Sequence, residues 1–383
     1  MTVVFFSDIP WESLHQRPQH LAERLGRRST VLWVEPATLG RRLNLTPKGV
    51  APGVFGVTLP TLPLNARNRW IRALAVQMSK GRTVRRTVAT IQRFLLTRAL
   101  RCMHSGESAI TCLVQNFQYM HLTDVFQPKC VVFDYIDDAF GFTKFPDFVR
   151  SEWLLALHRA DTITVTSPTL RKRILEVCER EVKLVPNGVE FDRFAHPITI
   201  SRPSDLPLCN QPIIGYIGSI YPWLDFQLLD QTVDLMQDVQ FVMIGQLHPD
   251  VASSLNRLQR HKNFSYLGLK PYAEVPAYVN SFDVGIIPFK RTLLTEAVNP
   301  VKFYEYSAAG VPTVVTDFSD DTVSLGDFVL VARSVEEFTR LIRDGVRRRG
   351  DSSFREHLRS FAKNNDWDSR AQDISDLLQL IGP

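Results

Sequence analysis

With 383 residues, 44% hydrophobic content and a formal charge of +5, the chain is long enough to bury a large core, and two domains are expected. No apolar run approaches the roughly eighteen residues of a spanning helix, and the N-terminal Thr2-Val3-Val4-Phe5-Phe6 enters a strand without a basic leader, so neither a membrane span nor a secretory signal is expected. Five scattered cysteines (Cys102, Cys112, Cys130, Cys178, Cys209) form no C-x-x-C pair, which argues against a disulfide framework or a zinc site and for a reducing cytoplasm.

The charge is uneven. Counting Lys and Arg against Asp and Glu, residues 1–190 carry 26 against 16 (+10) and residues 191–383 carry 19 against 24 (−5). From Pro36 to Gly106 there are thirteen basic residues and no acidic one. Such a block implies an anionic partner, and nucleic acid, acidic lipid and a phosphorylated substrate are all candidates.

In chain order, Thr2–Phe6 reads as a buried parallel strand that breaks at Ser7-Asp8-Ile9-Pro10. A polar loop, Glu12–Gln19, leads into a helix from His20 to Arg27, and Val31–Val34 is the next strand, giving a βαβ opening and a right-handed parallel sheet. The segment Arg67–Arg101 interleaves apolar and basic residues, and its second half, Val84–Leu100, has helical spacing. It reads as a helix packing on the sheet or as an interfacial helix on anionic lipid. Ala109–Val114 and Cys130–Tyr135 are strands, the latter running into Asp137 and Asp138 at the carboxyl edge where such sheets bind ligands. Asp138, Asp137 and His20 are the candidate bases of this half, with Asp138 favoured; a capping role for the aspartates and a structural role for His20 stay open. No metal-ligand spacing accompanies them, and neither metal nor other cofactor is expected. Thr162–Thr166 and Val182–Val185 are further strands, closed by the turn Pro186-Asn187-Gly188, and the irregular Ala195–Pro212 reads as an inter-domain linker.

The second half repeats the rhythm. Ile213–Gly218 is a strand meeting a small turn at Gly218-Ser219, where backbone can approach a ligand. Strands Val239–Gly245, Phe264–Leu267, Asp283–Pro288, Thr313–Thr316 and Phe328–Val331 alternate with helices to Leu380. Before the strand at Thr313 lies Asn299-Pro300-Val301-Lys302-Phe303-Tyr304-Glu305-Tyr306, a helix start whose free N–H groups and Lys302 ammonium favour a phosphate. Glu305, on a neighbouring position of the same face, offers two acceptor oxygens suited to a sugar diol. A nucleotide sugar has both features.

Four motifs, Val185-Pro186-Asn187-Gly188-Val189-Glu190, Ile214-Gly215-Tyr216-Ile217-Gly218, Phe241-Val242-Met243-Ile244-Gly245 and Pro300–Tyr306 with Ala309-Gly310-Val311-Pro312, together resemble the GT-B glycosyltransferases. The likeness is to the retaining group 1, or family 4, enzymes that include sucrose synthases. His15-Gln16-Arg17-Pro18-Gln19-His20-Leu21 looks like a bacterial subgroup making surface polysaccharide.

The resemblance implies an α/β chain of two Rossmann-like parallel-sheet domains facing across a cleft: residues 1–200 for the acceptor and 208–365 for the donor, with a C-terminal helix in 366–383 packing back on the first. It implies a donor site of Gly218, Ser219, Gly245, Gly268, Asn299, Val301, Lys302 and Glu305, the last holding the ribose. The family's basic pair after Gly218 is absent, which leaves Lys302 to neutralise the diphosphate. Its first paired glutamate aligns with Ala297, and Glu296, one residue before, is the catalytic candidate of this half.

The expected activity is transfer of a sugar, UDP-linked, to a lipid-linked or saccharide acceptor in surface polysaccharide or glycolipid synthesis. The expected place is the cytoplasm, peripheral on the inner membrane face through Arg67–Arg101, with no nucleic-acid partner. A sugar-nucleotide epimerase of the same fold and a non-catalytic nucleotide-sugar-binding subunit are the alternatives.

Overall fold

The computed structural model describes every residue except 38–42, 65–67, 104–108, 143–144, 197–201, 209 and 380–383. Arg67 and Cys209 of the sequence reading lie outside the described residues. The chain forms two units, one of Met1–Pro186 with Arg370–Pro383 and one of Asn187–Ser369.

Among the described residues, unit 1 carries eight strands: β1 (Thr2–Phe6), β2 (Thr30–Pro36), β3 (Lys48–Ala51), β4 (Val54–Leu59), β5 (Ile110–Val114), β6 (Val131–Tyr135), β7 (Thr162–Val165) and β8 (Val182–Leu184). Their order is β3-β4-β2-β1-β5-β6-β7-β8, parallel except for the β3/β4 hairpin. Residues 2–6 of β1 are buried on both faces because helices cover each side of the sheet, which is why the strand is apolar throughout rather than alternating. Val3, Phe5, Val31, Trp33, Leu113 and Val132 form a core with Leu21 and Leu25 of the helix Arg17–Gly26. Ala371, Ile374 and Leu378 complete it; the first two belong to the helix Trp367–Leu377, whose residues from Arg370 on are part of this unit.

Among the described residues, unit 2 carries six strands, β9 (Ile213–Ile217), β10 (Gln240–Ile244), β11 (Phe264–Tyr266), β12 (Val284–Ile287), β13 (Thr313–Thr316) and β14 (Leu330–Ala332), in the all-parallel order β11-β10-β9-β12-β13-β14. The strand order reverses at β1/β5 in unit 1 and at β9/β12 in unit 2. Open parallel sheets leave a crevice at the carboxyl ends beside such a reversal, because the connections depart to opposite faces there.

Three sequence readings change in detail. The helix expected from His20 begins at Arg17, with Gln16 and Gln19 exchanging capping bonds ahead of it. The basic segment is two helices, Arg69–Ser79 and Arg82–Met103, because Gly81 interrupts the first. Part of the Ala195–Pro212 stretch is docked rather than free: Leu206 is buried, and Asp205 accepts hydrogen bonds from Tyr278 (2.7 Å) and Lys270 (2.5 Å).

Candidate active site

Three adjacent strands of unit 2 each end in a glycine with positive φ: Gly218 after β9 (139°), Gly245 after β10 (147°) and Gly268 beyond β11 (72°). They are stitched edge to edge, Gly218 N donating to Ile244 O and Gly245 N to Gly268 O, both at 2.9 Å. A Cβ at Gly245 would lie 1.8 Å from the Gly218 carbonyl oxygen, so no side chain fits there. The result is a terrace of bare backbone at the carboxyl edge, beside the strand reversal at β9. Ser219 continues it, its carbonyl held by the Tyr216 hydroxyl at 2.8 Å.

Lys302 lies over this terrace. Its Cε would be 3.0 Å from a Cβ at Gly218, and its Nζ stands 5.5 and 4.9 Å from the ring centres of Tyr216 and Phe289. The helix Val301–Ala308 supplies Lys302 and, one turn on, Glu305, both half-buried. Phe303 N is taken by Pro300 O at 3.1 Å, while the other first-turn N–H groups, Val301's included, have no carbonyl behind them within the helix. Neither the Lys302 ammonium nor the Glu305 carboxylate bonds to a described residue. Burial pushes the Lys302 amine down to about 8, opposed by Glu305. Burial also pushes the Glu305 carboxyl up to about 7; Lys302 opposes the shift and Glu190 adds to it. Two half-buried charged groups without hydrogen-bond partners are costly to keep unless something bound satisfies them.

Around Glu305 the sequence reading missed a second set. Glu190 accepts the Tyr272 hydroxyl (3.0 Å) and Arg193 Nε (3.0 Å), and the Arg193 guanidinium lies 5.0 Å over the Tyr272 ring. Its only trace in the sequence is the Glu190 that closes the Val185–Glu190 motif. Asn299 serves as a clamp: its side-chain oxygen accepts Asn187 N (2.9 Å), its carbonyl accepts Asn187 Nδ2 (2.7 Å), and its amide bonds the Tyr304 hydroxyl (3.0 Å). It holds the Asn187-Gly188 turn to the helix start rather than presenting a free group. Glu296 sits on the turn Thr295–Ala297 and is tied to Arg291 at 3.2 Å, in a surface network with Asp317 and Asp320.

In unit 1, Asp138 is engaged by Arg173 (2.7 Å) and by the N–H of Phe140 (3.1 Å), in the first turn of the short helix Ala139–Phe142. Asp137, half-buried beside it, has its carboxyl pushed up to about 7 by burial and then by Asp8, with Arg17 opposing. Asp8 is raised to about 6 by the surrounding protein, an effect that water screens in part because the residue is exposed. His20 is buried on the helix Arg17–Gly26 with its ring 4.3 Å from that of His15, edge to face. His15 in turn pairs with Glu23 at 3.6 Å, and one ligand atom of each of these three lies within 4.8 Å of the others. Tetrahedral zinc would need donor separations of about 3.3 Å.

Arg17, read from sequence as loop, is buried and grips Asp134 with both Nε (3.0 Å) and Nη2 (2.8 Å), its Nη1 donating to Pro186 O (2.9 Å). Gln115 and Thr164 complete the Asp134 carboxylate.

Residues 211–347 match the family model described as glycosyl transferases group 1. Unit 2 contains a group 1 glycosyltransferase domain. A relative from Bacillus subtilis, the putative teichuronic acid biosynthesis glycosyltransferase TuaH, is 29% identical over 59% of this chain, and the match spans 58% of that relative's length. Among solved structures, sucrose-phosphate synthase from Thermosynechococcus elongatus superposes with a TM-score of 0.69 at 15% identity, covering 99% of this chain and 98% of that one. The E. coli trehalose-6-phosphate structure bound with UDP-2-fluoro glucose gives 0.73 at 13% identity over 100% of both. The chain therefore has the GT-B fold, and the glycine terrace, Lys302 and Glu305 all fall within its glycosyltransferase domain.

Proposed function

We propose that the protein transfers a sugar from a UDP-sugar to a saccharide or lipid-linked acceptor in surface polysaccharide or glycolipid synthesis. The observation that carries the donor half is the pairing of Lys302 and Glu305, half-buried and without hydrogen-bond partners, beside a glycine terrace that admits a ligand against bare backbone. In this reading the diphosphate lies on Gly218-Ser219 and the start of the helix Val301–Ala308, with Lys302 countering its charge, and Glu305 accepts from the ribose hydroxyls. Gly245 and Gly268 keep the neighbouring edge low enough for the nucleoside to pass. The bond from the anomeric carbon to the diphosphate oxygen breaks, UDP leaves with the electron pair, and the acceptor oxygen bonds the anomeric carbon while losing its proton. Lys302 stabilises the leaving diphosphate as its charge grows.

The acceptor is assigned to unit 1, with Asp137 rather than Asp138 as the group that exchanges the proton. Asp138 is occupied by Arg173 and a helix start, whereas the Asp137 carboxyl, with Asp8 nearby, titrates near neutrality. The likenesses that support the donor class are a fold neighbour bound with UDP-2-fluoro glucose and a relative named for teichuronic acid synthesis.

The test is calorimetry of UDP with wild type, Lys302→Gln and Glu305→Gln, followed by mass spectrometry of products from a panel of UDP-sugars with a lipid extract. Each substitution is expected to weaken UDP binding by roughly 1–3 kcal/mol. Equal affinity in all three proteins would remove the donor site, and an epimerised UDP-sugar formed without acceptor would replace transfer by epimerisation.

A further inference from the structure

The helix Arg69–Ser79 is amphipathic the wrong way round. Asn68 fixes its start, its side-chain oxygen accepting Trp70 N (2.9 Å) and Ile71 N (3.3 Å). Of its eleven residues, only Ala75 and Ser79 are buried. Trp70, Leu74 and Met78, one turn apart along a single line, are 71%, 62% and 44% exposed, and Ile71 flanks them. A helix on a sheet normally turns its large apolar side chains inward; here a small residue and a hydroxyl face the protein, and the large ones face out. The next helix, Arg82–Met103, buries Leu95, Leu96 and Leu100 in the usual way yet leaves Phe94 exposed at 66%.

Charge decides what covers this surface. The two helices carry eight basic residues, with Lys80 between them a ninth, and no acidic one. Arg72, Lys80, Arg82, Arg86, Arg98 and Arg101 make no ion pair with a described residue. A second copy of the chain would bring two such blocks together and meet repulsion. A nucleic acid would match the cations and could stack a base on Trp70, but it has no apolar phase for Leu74 and Met78. An anionic bilayer matches both: its headgroups attract Lys and Arg, and its acyl boundary takes aromatic and aliphatic side chains.

We infer that the helix Arg69–Ser79 lies in the interface of an anionic phospholipid membrane with Trp70, Leu74 and Met78 inserted, while the cations of both helices bind headgroups. This rests on the proposed function in taking the acceptor to be membrane-borne, and it names the side chains that bring the enzyme to it.

The experiment is sedimentation of the full chain with vesicles of phosphatidylcholine alone and of phosphatidylcholine mixed with phosphatidylglycerol, for wild type and Trp70→Ala/Leu74→Ala. Wild type is expected to bind only the mixed vesicles, with binding falling as salt rises. The double variant should bind at least about tenfold more weakly, since two large side chains no longer enter the acyl boundary. The two side chains are exposed, so the variant should fold, and unchanged UDP calorimetry would verify it.

Equal vesicle binding by the variant, equal binding to neutral vesicles, tighter binding to an RNA duplex than to mixed vesicles, or a wild-type dimer that the substitutions dissociate would each overturn the inference. Vesicle binding by a wild type that fails to bind UDP would support the inference and defeat the donor site instead.

Discussion

Glu305→Gln should make the protein more stable and less able to hold UDP. The wild-type carboxyl is raised from 4.5 to about 7 by burial, against the pull of Lys302. A raised acid stabilises the fold only while protonated, so its contribution is complete below pH 4.5 and is lost as pH rises through about 7. Fully expressed, that difference is worth roughly 3 kcal/mol. Half-burial leaves water to screen part of it, so a gain of about 1–2 kcal/mol at pH 8 is expected for the uncharged amide. Urea unfolding of wild type and variant at pH 5 and pH 8 measures it, with the advantage of the variant appearing at pH 8 and shrinking at pH 5. The same substitution should cost roughly 1–3 kcal/mol in UDP affinity. A Glu305→Gln protein that is less stable than wild type at pH 8, or one whose advantage is the same at both pH values, would refute the claim that this carboxylate is held at a cost for binding.

Lys302 predicts the other limb of a pH profile. Its amine titrates at about 8, so UDP affinity should fall as pH rises through that value, while Glu305 makes it fall as pH drops through about 7. Lys302→Gln should bind more weakly below about pH 8, converge on wild type above it and lose the alkaline limb, as calorimetry in buffers from pH 6 to pH 9 would reveal. Gly245→Ala places a methyl 1.8 Å from the Gly218 oxygen at a φ of 147°; a loss of more than about 3 kcal/mol in unfolding free energy and no measurable UDP binding are expected. Arg17→Ala leaves the Asp134 carboxylate buried without its cation, which should cost about 3–5 kcal/mol, read by chemical unfolding, and a cost under about 1 kcal/mol would show that water or another donor replaces the guanidinium.

No helix among the described residues is long and apolar enough to cross a membrane. The proposed membrane contact is a surface one, and there the sequence and the structure diverge. Helical spacing over Val84–Leu100 favours a helix packed on the sheet over one lying on lipid, and Leu95, Leu96 and Leu100 do pack inward; the spacing says nothing of the helix Arg69–Ser79 ahead of it. Only the packed structure reveals that Ala75 and Ser79 take the inward positions and leave Trp70, Leu74 and Met78 outside. Periodicity reports that an apolar stripe exists, not which way the helix is turned.

The elements themselves were legible because they arise from neighbours in the chain. Continuous apolar runs such as Ile213–Ile217 and Phe241–Ile244 mark strands buried on both faces, and Asn299-Pro300 ahead of Lys302 and Glu305 marks a helix start that suits an anion and a diol. Partnerships across the sheet were not legible. Asp134, Asp137 and Asp138 form one acidic cluster in sequence, yet Arg17 binds the first from 117 residues away, Arg173 takes the last from 35 away, and burial pushes the Asp137 carboxyl up to about 7. The order of the strands decides which of these side chains meet. That order is set by how the whole sheet closes its core, so an individual acid's role exists only once the tertiary structure does.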